Sequence, residues 1–139
     1  MYEHLHTRSI QGKMISQSIS KTELISLLHE AYNSISFSTI PYIQFDMNSE
    51  ESINKFQCGN CVSLTLWIKK QLKRKYNVLS YIIPATIPKK YQREGYLDIS
   101  HIALAIPYGK KRLYLIDLAF YFLEPLQIIL TKHPKQNIP

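Results

Sequence analysis

The stretch ISHIALAIPYGKKRLYLIDLAF, residues 99–120, decides how this chain is read. Two runs rich in β-branched, aliphatic and aromatic residues, Ile99 to Ile106 and Arg112 to Phe122, flank Pro107-Tyr108-Gly109-Lys110-Lys111, which has the composition of a hairpin connection. With Tyr108, Gly109 and Lys110 as a three-residue loop, His101 falls directly opposite Asp117. Side chains alternate along a strand, so the two share one face. An even loop or a bulge would flip that relation. Singly, these residues read as a core histidine and a strand-edge acid. Both interrupt apolar runs, where an unpaired ionisable group costs on the order of 2 to 5 kcal/mol, so they are expected to pair.

Upstream, Asn60 is a good helix N-cap. Val62 to Lys75 contains neither Gly nor Pro and keeps Leu64, Trp67, Ile68 and Leu72 at helical spacing. Cys61 therefore sits at a helix N-terminus. Val78 to Ile83 reads as a strand ending at Pro84, followed by a polar loop to Asp98. Earlier, Ser20 and Glu23 have capping-box spacing ahead of Leu24, Leu27, Leu28 and Ala31, which predicts a helix over 21–34. Ser36 to Glu51, with Pro41 and a polar run from Asp46, reads as a loop with a short extended piece at Tyr42 to Phe45, the wall of a cleft. Residues 1–19 form a loose N-terminal arm, 20–130 a single domain in which Pro125 ends the second strand run, and 131–139 a basic tail.

Composition narrows the function classes. The 139 residues are 45% apolar and 19% charged, enough for one core. Four isolated glycines, Gly12, Gly59, Gly95 and Gly109, leave no place for a glycine-rich phosphate loop. The most apolar stretch, Leu113 to Leu130, is broken by Asp117, Glu124 and Pro125, and the first twenty residues lack a signal-peptide run, so a cytoplasmic protein with no membrane insertion is expected. The net charge of +7 concentrates between Ser52 and Arg93, where Lys55, Lys69, Lys70, Lys73, Arg74, Lys75, Lys89, Lys90 and Arg93 meet no acid. Part of this stripe reads as a solvated helix end that complements the dipole. Its second reading is a site for an anionic ligand; no nucleic-acid recognition module is visible.

Cys58 and Cys61, in a chain read as intracellular, point to metal, redox or nucleophilic work rather than a disulfide framework. Structural zinc needs four ligands, and His4, His6, His29, His101 and His133 supply neither a second Cys pair nor a close His pair, so no metal or other cofactor is expected. A Cys-x-x-Cys redox pair fits the spacing of Cys58-Gly59-Asn60-Cys61, but the segment before it does not read as the buried strand that such a site follows. The nucleophilic reading uses all three residues. Cys61 is the nucleophile, His101 its base, and Asp117 holds the imidazole tautomer, while free N–H groups at the helix start serve a developing oxyanion.

A Cys at a helix start, then a strand, then His and Asp on successive strands, resembles the papain-like core of transglutaminase-like proteins and arylamine N-acetyltransferases. The resemblance rests on Gly59-Asn60-Cys61, Ser100-His101-Ile102 and Ile116-Asp117-Leu118-Ala119-Phe120, over about residues 55 to 125. The last segment is similar to the Asp-Val-Gly-Phe type motif of the acetyltransferases, and Cys58-Gly59-Asn60-Cys61 to the Cys-Gly-Ser-Cys of papain-type proteases. The Arg-Gly-Gly that precedes the acetyltransferase cysteine is replaced by Lys55-Phe56-Gln57-Cys58-Gly59-Asn60, and Val62 stands where an aromatic follows the papain or transglutaminase nucleophile. What the resemblance implies is an α+β fold with N-terminal helices and the nucleophile helix packed on a small antiparallel sheet. It also implies acyl transfer or amide hydrolysis through Cys61, His101 and Asp117 on an amide- or thioester-bearing substrate such as a protein or peptide. Two other readings stay open: a non-catalytic scaffold that binds a protein or polyanion, and thiol redox chemistry at Cys58 and Cys61.

Overall fold

The computed structural model describes residues 18–131 apart from 87, 96 and 98. Most of the expected N-terminal arm, nearly all of the tail, and His4, His6 and His133 lie outside the described residues. The chain is a mixed α and β fold. The element order is α1 (Lys21–Ser34), β1 (Ser36–Phe37), α2 (Ile40–Phe45), α3 (Ser49–Phe56), β2 (Cys58–Gly59), α4 (Cys61–Tyr76), β3 (Tyr81–Ala85), a 3-10 turn (Lys89–Tyr91), β4 (His101–Pro107), β5 (Arg112–Ile116) and β6 (Leu126–Ile129). β1 and β2 pair in parallel, and β3-β4-β5-β6 form an antiparallel sheet in that order.

α1 starts with the reciprocal capping box of Ser20 and Glu23, which satisfies two orphan donors of the first turn. Its buried stripe, Leu24, Leu27, Leu28 and Ala31, forms the core with Leu64, Ile68 and Leu72 of α4 and with Leu104, Ile106, Tyr114 and Ile116 of the sheet. Successive strand residues point to opposite faces, so Leu104 and Ile106 enter this core while His101, Ala103 and Ala105 take the other face of β4. α4 ends where Asn77 turns into the left-handed region. The Asn77 N–H bonds back to Lys73 and the Val78 N–H to Leu72, which reverses the chain and seats Val78 in the core.

Four sequence expectations change. The segment from Ser36 to Glu51 holds β1, α2 and the start of α3, where a loop with an extended piece was expected. Pro41 lies in the first turn of α2, where its missing N–H costs nothing, and Asn48 with Glu51 builds a second capping box that starts α3. The strand expected at Val78 to Ile83 runs Tyr81–Ala85, because Val78 belongs to the α4 cap and Pro84 is tolerated on an edge strand. The strand expected to reach Phe122 stops at Ile116, and Leu126–Ile129 adds the unforeseen β6 beyond Pro125.

The hairpin register also shifts. Pro107 pairs with Leu113 and the Tyr108 N–H bonds the Arg112 carbonyl, so the three loop residues are Gly109, Lys110 and Lys111. His101 is therefore a diagonal neighbour of Asp117, not directly opposite it. Moving the loop by one residue moves both strands together and keeps the two on the same face.

Candidate functional site

Asp117 follows the last residue of β5, where the chain turns away, and its own turn aims it. Oδ1 accepts from the Ala119 N–H at 3.1 Å and the Phe120 N–H at 3.2 Å, and the Phe122 N–H bonds the Asp117 carbonyl. Oδ2 is left for His101 Nε2 at 2.6 Å. Both side chains are buried, the residues being 6% and 7% exposed. A carboxylate accepts only, so Nε2 donates to it, and in the neutral imidazole Nδ1 then holds the lone pair. Among the described residues Nδ1 has no hydrogen-bond partner. The Phe120 ring lies edge-on to the imidazole, centroids 4.9 Å apart at 87°, and shields the pair.

Cys61 is the first residue of α4, half-buried, with an unbonded sulfur among the described residues. At about 100° per residue it heads the stripe continued by Thr65, Ile68 and Leu72, which faces the protein interior. Asn60 caps this turn: its side chain accepts from the Ser63 N–H at 3.1 Å, and its carbonyl from the Leu64 N–H. The N–H groups of Cys61 and Val62 remain without partners among the described residues, as donors for an incoming oxygen. Gly59 lets this turn approach α2, since a Cβ there would lie 2.4 Å from Ser63 Cβ and 3.0 Å from Tyr42 Oη. Tyr42 Oη also accepts from the Asn60 N–H and bonds Ser63 Oγ. Ser52, fully buried, donates to the Cys58 carbonyl at 2.6 Å. Tyr42 and Ser52 carry no site signal in the sequence because they act through α2 and α3, where no helix is expected, and Ser63, in the expected helix, matters only through its contact with Tyr42.

Thus His101 and Asp117 are in contact, while Cys61 stands apart from them without a hydrogen bond. Gln57 caps α3 in the left-handed region and is exposed, its carbonyl accepting from the Ser36 N–H. A cleft of about 180 Å³ lies between α3 and α4, lined by Ile53, Ser63, Leu66 and Trp67. It opens on the side of α4 opposite the Cys61 stripe, and Ser49 and Glu50 of α3 form part of its wall. The cations of α4 are engaged locally: Lys69 with the Ser80 carbonyl, Lys70 with Glu50, Lys73 with Asn77, Arg74 with Gln71 and Lys75 with Glu30.

No family model matches this chain, and no curated protein or solved structure matches it with significance. Among the described residues no three His, Cys, Asp or Glu side chains cluster as metal ligands, and no helix is long and apolar enough to cross a membrane.

Tyr32 on α1 joins this region from below. Its hydroxyl donates to the Phe122 carbonyl at 2.9 Å, and its ring stacks on Tyr121 at 5.5 Å. Burial first, then the Asp117 carboxylate and Tyr121, push its phenol from 10.0 up to about 12. Between those values the folded chain holds a proton that the unfolded chain releases, so stability falls as pH rises through the window. Denaturant midpoints measured from pH 9 to about 12 should decline more steeply for the wild type than for Tyr32→Phe; parallel curves would remove Tyr32 from the titration.

Proposed function

We propose that this chain is a thiol-dependent acyltransferase or amide hydrolase on a papain-like, transglutaminase-like core, with Cys61, His101 and Asp117 as its reacting groups. The observation that carries this is the buried His101–Asp117 pair, in which the carboxylate is fixed by two backbone N–H groups and the imidazole is left with one basic nitrogen. A histidine so oriented is one half of a nucleophilic site.

Chain lengths support Cys61 as the other half. The α4 cap reverses the chain ahead of β3, and Lys69 of α4 reaches the Ser80 carbonyl just before that strand. From Ser80 to Ala85, the partner of His101, the strand advances about 17 Å. From Lys69 back to Cys61 the helix covers about 12 Å in the same sense. These lengths are compatible with His101 and Cys61 lying toward the same end of the molecule, which supports the reading. A second tether agrees: Tyr32 holds the turn after Asp117, and four residues later Ser36 pairs with Cys58.

The reaction balances without a cofactor. The Cys61 sulfur bonds to the substrate carbonyl carbon as its proton passes to His101 Nδ1, and the oxyanion is met by the Cys61 and Val62 N–H groups. The C–N or C–S bond to the leaving group then breaks as His101 returns the proton to it. Water or an amine, deprotonated by His101, releases the acyl group and restores the thiol. Asp117 holds the ring through Nε2, which leaves Nδ1 for the proton transfer, and stabilises the charge that His101 gains.

Iodoacetamide at neutral pH, read by mass spectrometry of each cysteine peptide, tests the assignment. Cys61 is expected to react about tenfold or more faster than Cys58, and His101→Ala to remove that advantage. Equal rates at the two cysteines would refute it. Replacing Cys58 with Ser should leave the Cys61 rate intact, whereas a redox pair would lose its activity.

A further inference from the structure

We propose that Tyr32 is a positioning residue for the His101–Asp117 pair, an inference that rests on the reading of His101 as the base. Asp117 is the first residue of a turn rather than a member of the ladder, so what aims its carboxylate is the conformation of residues 117–122. That turn is held internally by the two bonds to Oδ1, by Tyr121 N–H to the Leu118 carbonyl, and by Phe122 N–H to the Asp117 carbonyl. It also contains a residue at an unfavourable backbone angle: Tyr121 has φ 53°, a region a bulky side chain rarely adopts. Such a conformation persists only where the surroundings over-determine it.

Tyr32 supplies that restraint from α1. Its ring stacks on the Tyr121 ring, and its hydroxyl takes the carbonyl of the next residue, Phe122, so one side chain grips both sides of the strained peptide. The elevated phenol pKa keeps this hydroxyl a donor well above neutral pH and reports that it feels the Asp117 charge. Lys21–Glu124, another link from α1 to this segment, is an exposed ion pair beyond the turn and contributes little by comparison. Tyr32 thus acts through the turn on the carboxylate, and through the carboxylate on which imidazole nitrogen bears hydrogen.

Long-range 1H–15N correlation of the His101 ring in the full chain reads this directly. The wild type is expected to show the Nε2–H form with a slowly exchanging proton. Tyr32→Phe, which removes only the hydroxyl, should speed exchange of that proton about tenfold or admit the Nδ1–H form, with overall fold retained. Lys21→Gln should leave both unchanged. An unaltered ring in folded Tyr32→Phe, or an equal response in Lys21→Gln, would overturn the proposal. Should Tyr32→Phe not fold, Tyr121→Leu removes the stacked ring while keeping a bulky side chain at the strained angle, and the same two outcomes decide. Because the readout needs no turnover, a ring that responds to Tyr32 beside an unreactive Cys61 would retire the acyl chemistry and leave the positioning role standing.

Discussion

Asp117→Asn is expected to cut thiol-dependent hydrolysis of a simple p-nitrophenyl ester by about 10³-fold or more while leaving the chain folded. The asparagine oxygen can still accept from Ala119 and Phe120, so the turn survives. Its amide group then faces His101 Nε2 and forces that nitrogen to accept, which moves the ring hydrogen to Nδ1 and abolishes the base. Asp117→Ala differs in kind. It leaves two N–H groups and a buried imidazole without their acceptor, at a stability cost of about 2 to 4 kcal/mol. Ester turnover and urea denaturation of both variants separate the two effects. An asparagine variant that retains its rate within about twofold would show that His101 is not working as a base held by Asp117.

Gly59→Ala is expected to lower stability by about 3 kcal/mol and the thermal midpoint by roughly 10 °C. Its added carbon would overlap Ser63 Cβ at 2.4 Å, and Ser63 belongs to the first turn of α4, so relief requires moving the helix start, not just rotating a side chain. The same displacement should slow alkylation of Cys61. Gly109→Ala is the comparison: its added carbon meets nothing, and its φ of 68° costs only the left-handed penalty, about 1 kcal/mol. Calorimetry showing the two variants equally stable would mean that α4 can shift freely at its start.

The parts of the fold legible in the sequence are those fixed by local signals that agree with one another. In α1 the capping box and the Leu24, Leu27, Leu28 and Ala31 stripe point the same way, and around Asn60 the cap and the Gly-free run that follows do so too. The pairing of His101 with Asp117 is legible because hairpin parity survives a one-residue slide of the loop, which lies one residue later than its composition suggests. α2 and α3 escaped notice because Pro41 and the polar run from Asp46 resemble loop composition. Asn48 and Glu51 repeat the spacing of Ser20 and Glu23, and that was the signal to use. Tyr32 gave none: it sits beside a helix's apolar stripe, and its link to Phe122 spans 90 residues of sequence. β6 was hidden by reading Pro125 as an end, when it stands just before a strand that returns to pair with β5.

Because Ser36–Phe37 and Cys58–Gly59 are zipped together at the base of the α2–α3 excursion, the residues between them form a closed side arm. The entropy of closing such an arm grows only slowly with its length. Insertions at the Asp46–Met47 link would therefore be absorbed locally, while the end of α1 stays docked against the start of α4. New recognition surface can be grafted onto this arm without rebuilding the framework that carries the cysteine.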